Sequence, residues 1–358
     1  MVVKRLRSSL MFSLKILIVM MVVIVFGLYY FSDDEPNIVK NDPIIGTKTE
    51  VKKLKEPIDP QSFDPKDSIE KYIGQDGAEV WKAFGEPDRI DRTEFEYSWW
   101  IYASDIKRYK QFAVSDGKVV SAIGAGNRVN VQPFRIGQDA KEINSMIVQD
   151  SMVEMELEDT QYRFELAEND YLTNPLIVVD QNYAQVYIDQ FTGAVTAVRF
   201  MDKETLAKLR PYQLSFIGEL YQLPELTDNE WQEVQTGYER SVIEFTNVIR
   251  YQFDLDPLVE QPDVSAVSRL HSQDMYERGY FNHETPDNQT LANRMDEHQI
   301  DYRRAGENIA AQHVDAVAAV AGWLNSEGHR LALLDAQYKY IGSGVYRKYY
   351  TQNFIEGD

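Results

Sequence analysis

The stretch that decides the fold is "GWLNSEGHRLALLDAQYKYIGSGV", residues 322–345. It continues a run of small and apolar residues, "VDAVAAVA" at 314–321, which favours a helix. Ser326, just before Gly328, is typical of a residue that ends such a helix. The following "YKYIGSGVYRK" has the alternating and β-branched character of a strand. These residues therefore predict a helix followed by a strand.

The same reading extends outward from this stretch. "ERSVIEFTNVIRYQF" at 239–253 places apolar residues at helical spacing, and "VSAVSRLHSQDMYERG" and "TLANRMDEH" predict two further helices. "YYTQNF" at 349–354 predicts the last strand. Helices that flank a small antiparallel sheet form an α/β/α sandwich. We assign this domain to residues 235–358.

A faint duplication runs through the preceding part of the chain. The tetrapeptide "IGQD" occurs at 73–76 and again at 136–139, an offset of 63 residues. In each half a short helical stretch and strand-like segments follow, and each half ends in a hairpin-like turn. Residues 68–208 are therefore predicted to be a smaller tandem α+β domain with two similar halves, and residues 209–234 a linker. The fold class of the whole chain is α+β.

The tryptophans of this domain allow two interpretations. Trp81, Trp99 and Trp100 could line a surface that binds a ligand or the cell wall. Alternatively they fill small cores, which is the commoner role of tryptophan and the one favoured here.

The N-terminus predicts a membrane anchor. "MFSLKILIVMMVVIVFGLYYF", residues 11–31, is long enough to cross a bilayer as a helix. The basic tail 1–10 is expected in the cytoplasm and the bulk of the chain outside, with residues 32–67 as a stalk. A cleaved signal peptide is the alternative, because Lys15 shortens the apolar run. No small-residue cleavage pattern follows, so we favour the anchor.

Charge and cysteine content exclude several classes of function. The chain carries −20, and because residues 1–32 carry +4, the remainder carries −24. This acidity argues against nucleic acid as a partner. The chain has no cysteine, which excludes a cysteine nucleophile and a thiolate metal site. An exported, acidic chain without cysteine suggests a bacterial cell-surface protein stabilised by its hydrophobic cores.

Four polar residues of the C-terminal domain are candidates for a site. His283, Glu307, Ser326 and His329 are too far apart in sequence to share one helix face, so only the tertiary fold could bring them together. We interpret each as lying at the end of an element, in loops that gather at one edge of the sandwich. Two imidazoles and a carboxylate could hold a divalent cation such as zinc. Without a metal the same groups could bind a polar ligand.

The other histidines have less promising surroundings. His271 lies in line with apolar residues at helical spacing, which favours a hydrogen-bonded core histidine over a ligand. His298 and His313 are expected at the surface. Ser326, His329 and Asp335 could form a Ser-His-Asp triad, but this interpretation is weak because Ser326 has the position of a helix-ending residue.

Four motifs in order resemble one family. "FTNVIR", "LHSQDMYERGYFNH", "GENIA" and the stretch at 322–345 are similar to the signatures of the CAP superfamily, also called the SCP domain. The family comprises cysteine-rich secretory proteins, antigen 5 and pathogenesis-related proteins. The anchor and the preceding module resemble the bacterial architecture in which a CAP-associated N-terminal domain precedes the CAP domain.

The resemblance implies a CAP fold with a central cleft. Family members often place two histidines and two acids in this cleft, and some bind a divalent metal there. By motif, the histidines are His283 and His329, which would be the metal ligands, and the first acid is Glu307. Ser326 stands where eukaryotic members have the second acid, as is common in bacterial members. This difference weakens any mechanism that needs two carboxylates.

The family has no established shared reaction, so several functions remain open. The leading hypothesis is an extracellular, membrane-anchored binding module for a cell-wall, lipid or protein ligand, with a cleft that takes a divalent cation. The alternative is a metal-assisted hydrolase acting on cell-wall peptides or proteins, with Glu307 as the catalytic base. A third possibility is a scaffold in which residues 68–208 bind the partner.

Overall fold

The computed structural model describes residues 37–40, 68–146 and 152–357. The predicted cytoplasmic tail, the membrane-spanning segment 11–31 and most of the stalk lie outside these residues. Within the described ranges, no helix is both long and apolar enough to cross a membrane.

Nine α-helices occur in the described ranges. They are α1 (Gly77–Phe84), α2 (Ala140–Met146), α3 (Glu168–Thr173), α4 (Lys203–Leu209), α5 (Asp228–Gln252), α6 (Pro262–Arg278), α7 (Leu291–Glu297), α8 (Ala316–Asn325) and α9 (Glu327–Leu333). The strands are β1 (Asn37–Lys40), β2 (Arg89–Arg92), β3 (Ser98–Tyr102), β4 (Lys110–Ser115), β5 (Lys118–Gly124), β6 (Met152–Leu157), β7 (Thr160–Glu165), β8 (Leu176–Val179), β9 (Asn182–Asp189), β10 (Ala194–Met201), β11 (Gln213–Ile217), β12 (Val259–Glu260), β13 (Arg304–Ala311), β14 (Tyr340–Tyr346) and β15 (Tyr349–Glu356).

The N-terminal domain is built on one antiparallel sheet that both sequence halves share. Its strand order is β2-β3-β4-β5-β10-β9-β8, so β5 of the first half pairs with β10 of the second. A smaller sheet, β11-β7-β6, belongs to the second half and to the segment that follows it. The similar halves are thus joined through a common sheet.

The two "IGQD" motifs make the same backbone contacts. The amide of Gly74 donates to the carbonyl of Val119 at 2.7 Å, and the amide of Gly137 donates to that of Val195 at 2.7 Å. The two glycines have φ values of 82° and 83°, a region that residues with a Cβ rarely adopt. The repeated glycine therefore turns each chain segment onto the closing hairpin of its own half.

The C-terminal domain is the expected α/β/α sandwich. Its sheet has the order β1-β13-β15-β14-β12, with β13, β15 and β14 antiparallel. Helix α6 packs on one face of the sheet, and α5, α8 and α9 form the layer on the other side. Alternation along β15 fits these layers, because Asn353 bonds to Ser268 of α6 whereas Gln352 bonds to Thr246 of α5.

The glycines of "IGSGV" allow α6 to approach the sheet closely. A Cβ placed on Gly344 would lie 1.9 Å from the amide nitrogen of Arg269, and one on Gly342 would lie 2.3 Å from the carbonyl carbon of Val264. Such contacts are sterically impossible, so α6 could not pack against β14 if either glycine were replaced. The 322–345 stretch therefore contributes a helix and also the strand surface on which α6 packs.

Two segments that were expected to be irregular contain regular structure. In the predicted linker 209–234, β11 pairs with β7, and α5 begins at Asp228. The start of α5 is fixed by a capping box between Thr227 and Glu230, a signal that the sequence interpretation missed. In the predicted stalk, β1 pairs with β13.

One hydrophobic core runs through both domains. It includes Trp99 and Tyr187 of the N-terminal domain with Phe245 and Trp323 of the C-terminal domain. Trp99 thus has the core role that was favoured, whereas Trp100 is half-buried and Trp81 is exposed, with their rings in edge contact. The shared core explains how the domains remain joined without a disulfide.

Candidate cleft site

Glu307 lies in the middle of β13, not in a loop. It pairs with Asn353 across the sheet and is fully buried. His329 lies in α9, so the interpretation of all the candidates as loop residues was wrong for these two. His283 lies in the loop between α6 and α7, and Ser326 lies between α8 and α9, as expected for both. The short strand was missed because Gly306 and Asn308, on either side of Glu307, are weak strand formers.

Arg294 of α7 is the main partner of the buried glutamate. Its Nη2 lies 2.6 Å from Oε2 of Glu307, and its Nη1 donates to the backbone carbonyl of His283 at 3.0 Å. The second carboxylate oxygen, Oε1, accepts a hydrogen bond from Nδ1 of His283 at 3.0 Å. Arg294 was not among the predicted residues, although an arginine on a helix next to two site motifs was a detectable signal.

These contacts decide the charge of Glu307. Burial by itself would raise the pKa of the carboxyl group, but the positive charge of Arg294 and the neighbouring histidines outweigh burial and hold the pKa well below its usual value. A carboxylate that is fully buried, ion-paired and weakly basic is poorly suited to act as a general base. The geometry therefore does not favour the hydrolase alternative.

His271 is a core histidine and also part of the same cluster. It is 1% exposed, and its Nε2–H donates to the carbonyl of Asn282 at 3.1 Å. The same nitrogen is 3.8 Å from Oε1 of Glu307. Burial lowers the pKa of His271 to about 4 despite the nearby carboxylate. The core interpretation is confirmed, and the structure adds that this residue forms the inner wall beside Glu307.

His271 gives the fold a predictable acid sensitivity. Its pKa is about 4 in the folded chain against 6.5 normally, so the unfolded chain binds more protons between these values and stability falls as the pH drops from 6.5 to 4. The expected loss at pH 4 is about 3 kcal/mol, from roughly 1.4 kcal/mol per pKa unit. We expect a His271→Gln variant to lose less stability between pH 7 and pH 4 in urea unfolding. An unchanged pH slope would contradict this assignment, and His298→Gln, at an exposed position, is the matched control.

His329 faces His283 from the opposite side of the cleft. The two ring centroids are 6.5 Å apart at an angle of 42°. Nδ1 of His329 is hydrogen-bonded to Oγ of Ser326 at 2.8 Å. Burial lowers the pKa of His329 to about 4, and His283 adds to this effect. The fold therefore brings together all four predicted residues, with Ser326 and Glu307 each supporting one histidine.

Each of these histidines leaves one ring nitrogen available. Within the described ranges, neither Nε2 of His283 nor Nε2 of His329 has a hydrogen-bond partner, and both atoms are buried. Because Glu307 accepts from Nδ1–H of His283, Nε2 of that ring carries a lone pair. Ser326 can either donate to Nδ1 of His329 or accept from it, so Nε2 of His329 can be a donor or a lone pair.

The donor set can be compared with what a metal ion needs. Two imidazole lone pairs suit a zinc-like cation, but nowhere in the described part of the chain do three metal-binding side chains converge. Two rings bound through Nε2 to one tetrahedral zinc would have centroids about 5 Å apart, given Zn–N distances of about 2 Å. The observed 6.5 Å requires the ring centroids to approach by about 1.5 Å. As placed, the two histidines do not by themselves form a metal site, and a cation here would need the rings to move closer and water to complete its coordination.

The remaining histidine and triad predictions have mixed outcomes. His298 is exposed, as expected. His313 is not a surface residue, because it is half-buried against Gly322 of α8, and burial lowers its pKa to about 4. Asp335 pairs with Arg304 at 2.8 Å, and Nε2 of His329 has no partner within the described ranges, so no Ser-His-Asp triad forms there.

A separate groove of about 1080 Å³ lies between α5 and strands β2–β4. Its polar lining includes Asp91, Glu94, Glu96, Glu233 and Arg240. None of the predicted cleft residues lines it. Glu94 is ion-paired with Lys348 at 2.8 Å and accepts a hydrogen bond from Tyr238 at 2.6 Å.

The fold and cleft are those of a CAP-domain protein. Residues 243–355 match the cysteine-rich secretory protein family, residues 73–212 match the CAP-associated N-terminal family, and the chain belongs to the CAP superfamily. It is 40% identical over 292 residues to the uncharacterized membrane protein YlbC of Bacillus subtilis. The matched region covers 82% of this chain and 84% of that protein.

Two crystal structures of relatives have the same two-domain extent. An extracellular protein with an SCP domain from Bacillus anthracis is 37% identical, with a TM-score of 0.79 over 87% of this chain and 100% of that chain. A cysteine-rich secretory protein from Staphylococcus aureus is 28% identical, with a TM-score of 0.73 over 86% of this chain and 100% of that chain. The fold read from the sequence motifs is therefore confirmed.

Proposed function

We propose that this chain is an extracellular, membrane-anchored binding module whose ligand sits between His283 and His329. The observation that carries the proposal is the pair of facing, buried imidazoles with unpartnered Nε2 atoms. A buried polar atom without a partner costs free energy unless something binds to it. In this cleft two such atoms belong to rings whose centroids are 6.5 Å apart.

The hydrogen bonds around the rings define which ligands suit the cleft. His283 offers a lone pair. His329 offers an N–H when Ser326 donates to it, and a lone pair when Ser326 accepts. A hydroxyl group, which donates and accepts, matches the first arrangement, and a divalent cation matches the second. The site can therefore take a cation with bound water, or a hydroxyl-bearing ligand in its place.

The location of the module is argued from the sequence and its relatives. Residues 11–31 have the length and hydropathy of a membrane span, with basic residues before and acidic residues after. A relative is named a membrane protein, and another is described as extracellular. We therefore place the cleft outside the cell, where a cell-wall, lipid or protein ligand would reach it.

Calorimetric titration of the full-length chain in detergent with zinc tests the cation part of this proposal. We expect measurable affinity in the wild type and a loss of at least tenfold in the double variant His283→Ala, His329→Ala. A Ser326→Ala variant should lose affinity to a smaller extent, because its hydroxyl orients the His329 ring. His298→Ala removes an exposed histidine and should change nothing. Equal affinity in wild type and double variant would remove the cation from the proposal.

A further inference from the structure

The segment that carries Ser326 and His329 is held from both sides by the N-terminal domain. Asn325 comes directly before this segment and Arg330 directly after it. Both form hydrogen bonds with residues 188–193, which are the end of β9 and the turn to β10. We call these residues the clamp turn. The clamp turn therefore contacts the two residues that bracket the cleft side chains.

The contact before the segment is a pair of hydrogen bonds between the side-chain amide of Asn325 and the backbone of the clamp turn. The side-chain nitrogen of Asn325 donates to the carbonyl of Ile188 at 2.8 Å, and the backbone amide of Gln190 donates to Oδ1 of Asn325 at 2.8 Å. The side-chain amide of Gln190 also donates to the carbonyl of Asn325. Together these bonds fix the last residue of α8, and with it the start of the segment.

The contact after the segment is a buried ion pair. Nη1 and Nη2 of Arg330 lie 2.7 Å and 3.1 Å from the two carboxylate oxygens of Asp189, which is fully buried. The guanidinium also lies over the ring of Phe191 at 4.7 Å and donates to the carbonyl of Leu324 at 3.0 Å. A planar, bidentate pair of this kind fixes orientation as well as distance.

We infer that the clamp turn of the CAP-associated N-terminal domain positions His329, so that this domain completes the cleft of the CAP domain. His329 is in the first turn of α9, immediately before Arg330, so a shift of Arg330 shifts the imidazole with it. The opposite wall of the cleft is held within the CAP domain, by Arg294 and Glu307. His329 is thus held from both domains, because Asn308 of β13 also donates to its backbone carbonyl at 3.2 Å, whereas the contacts of His283 come from the CAP domain. The position of His329 can be tested without a ligand. Only the role of that position in ligand binding rests on the proposed function.

The test uses the full-length chain in detergent and reads the position of each histidine separately. Diethyl pyrocarbonate modifies accessible neutral imidazoles, and mass spectrometry measures the rate at each of the five histidines. In the Asp189→Asn variant we expect the rate at His329 to rise at least fivefold. The rate at buried His271 and at exposed His298 should stay within twofold of the wild type. Peptides that contain α9 should also exchange amide hydrogens faster.

A milder variant keeps the test valid where Asp189→Asn affects folding. Phe191 is 40% exposed, so Phe191→Ala weakens the stacking on Arg330 without opening a core, and a smaller rise at His329 is expected. The control is Glu244→Gln on α5, which weakens a different ion pair between the domains, the one with Arg89 of β2. It should leave the rate at His329 unchanged.

The outcomes separate this inference from the proposed function. Rates at His329 that stay unchanged in both Asp189→Asn and Phe191→Ala would overturn the positioning role, as would an equal rise at His271, which would indicate general loosening. Zinc titration of the same variants is a second readout, with a loss of about tenfold expected for Asp189→Asn. If the wild type does not bind zinc, the cation proposal fails while the labelling result still decides the positioning role.

Discussion

Replacing Arg294 by methionine is expected to lower the free energy of unfolding by about 3–5 kcal/mol, because it leaves the carboxylate of Glu307 buried without its charged partner. Glu307 is fully buried, and Arg294 is its only arginine or lysine partner among the described residues. Methionine keeps an unbranched apolar side chain and removes both the charge and the hydrogen bond to the carbonyl of His283. Urea unfolding followed by tryptophan fluorescence measures the loss.

The pH dependence of this variant identifies the cause. In the wild type the pKa of Glu307 lies below its ordinary value of 4.5, so the stabilisation is complete above that value and is lost as the pH falls further. In the Arg294→Met variant the carboxyl group should take up a proton at a higher pH. The difference between variant and wild type should therefore shrink from pH 8 towards pH 5. A difference that does not change with pH would indicate lost packing instead.

Arg303→Met is the matched control for this prediction. Arg303 is the arginine of an exposed ion pair, with Nη1 3.5 Å from a carboxylate oxygen of Glu356. Exposed pairs of this kind contribute about 0–1 kcal/mol. A loss for Arg303→Met as large as that for Arg294→Met would sink the argument from burial.

Removing the carboxylate of Asp315 is expected to cost roughly 4–6 kcal/mol, from an unpaired buried charge and a lost helix cap. Asp315 pairs with Arg199 of β10 at 2.5 Å, with both side chains almost fully buried. Its other oxygen accepts from the amide of Ala318 and caps α8. Asp315→Ala removes both interactions, whereas Asp315→Asn keeps the cap and should be less damaging by about 1 kcal/mol.

The chain contains a matched pair that tests the role of burial. Asp228 lies 2.5 Å from Arg347, the same distance, but its side chain is 96% exposed. Asp228→Asn should therefore change the free energy of unfolding by no more than about 1 kcal/mol. If Asp228→Asn and Asp315→Asn were equally destabilising in chemical unfolding, distance and not burial would determine the strength of these pairs.

The Asp315 pair and the clamp turn belong to the same arrangement. Arg199 of β10 pairs with Asp315 at the start of α8, and the clamp turn bonds to Asn325, the last residue of α8. Both ends of this helix therefore contact the N-terminal domain. A CAP domain separated from its N-terminal partner would expose these contacts and part of the shared core. This explains why His329, in the first turn of α9, is the histidine that depends on the other domain.

The sequence by itself determined the order and type of most elements of the CAP domain. Helical spacing located α5, α6, α7 and α8, and the alternation of "YKYIGSGVYRK" located β14. The repeated "IGQD" announced two similar halves, because a glycine with positive φ is needed at the same point of each. The motifs also selected His283, Glu307, Ser326 and His329, which the fold brings together.

Only the tertiary structure decided what these residues can do. Whether Glu307 is a base or a buried ion-pair partner depends on Arg294, which α7 brings next to β13 and which no local pattern links to it. That His271 belongs to the same cluster, and that Asp189 holds Arg330, likewise follow from contacts between distant segments. Sequence periodicity reports which face of an element is apolar. It does not report which polar side chains meet, because burial, charge pairing and free ring nitrogens arise only when the layers are packed.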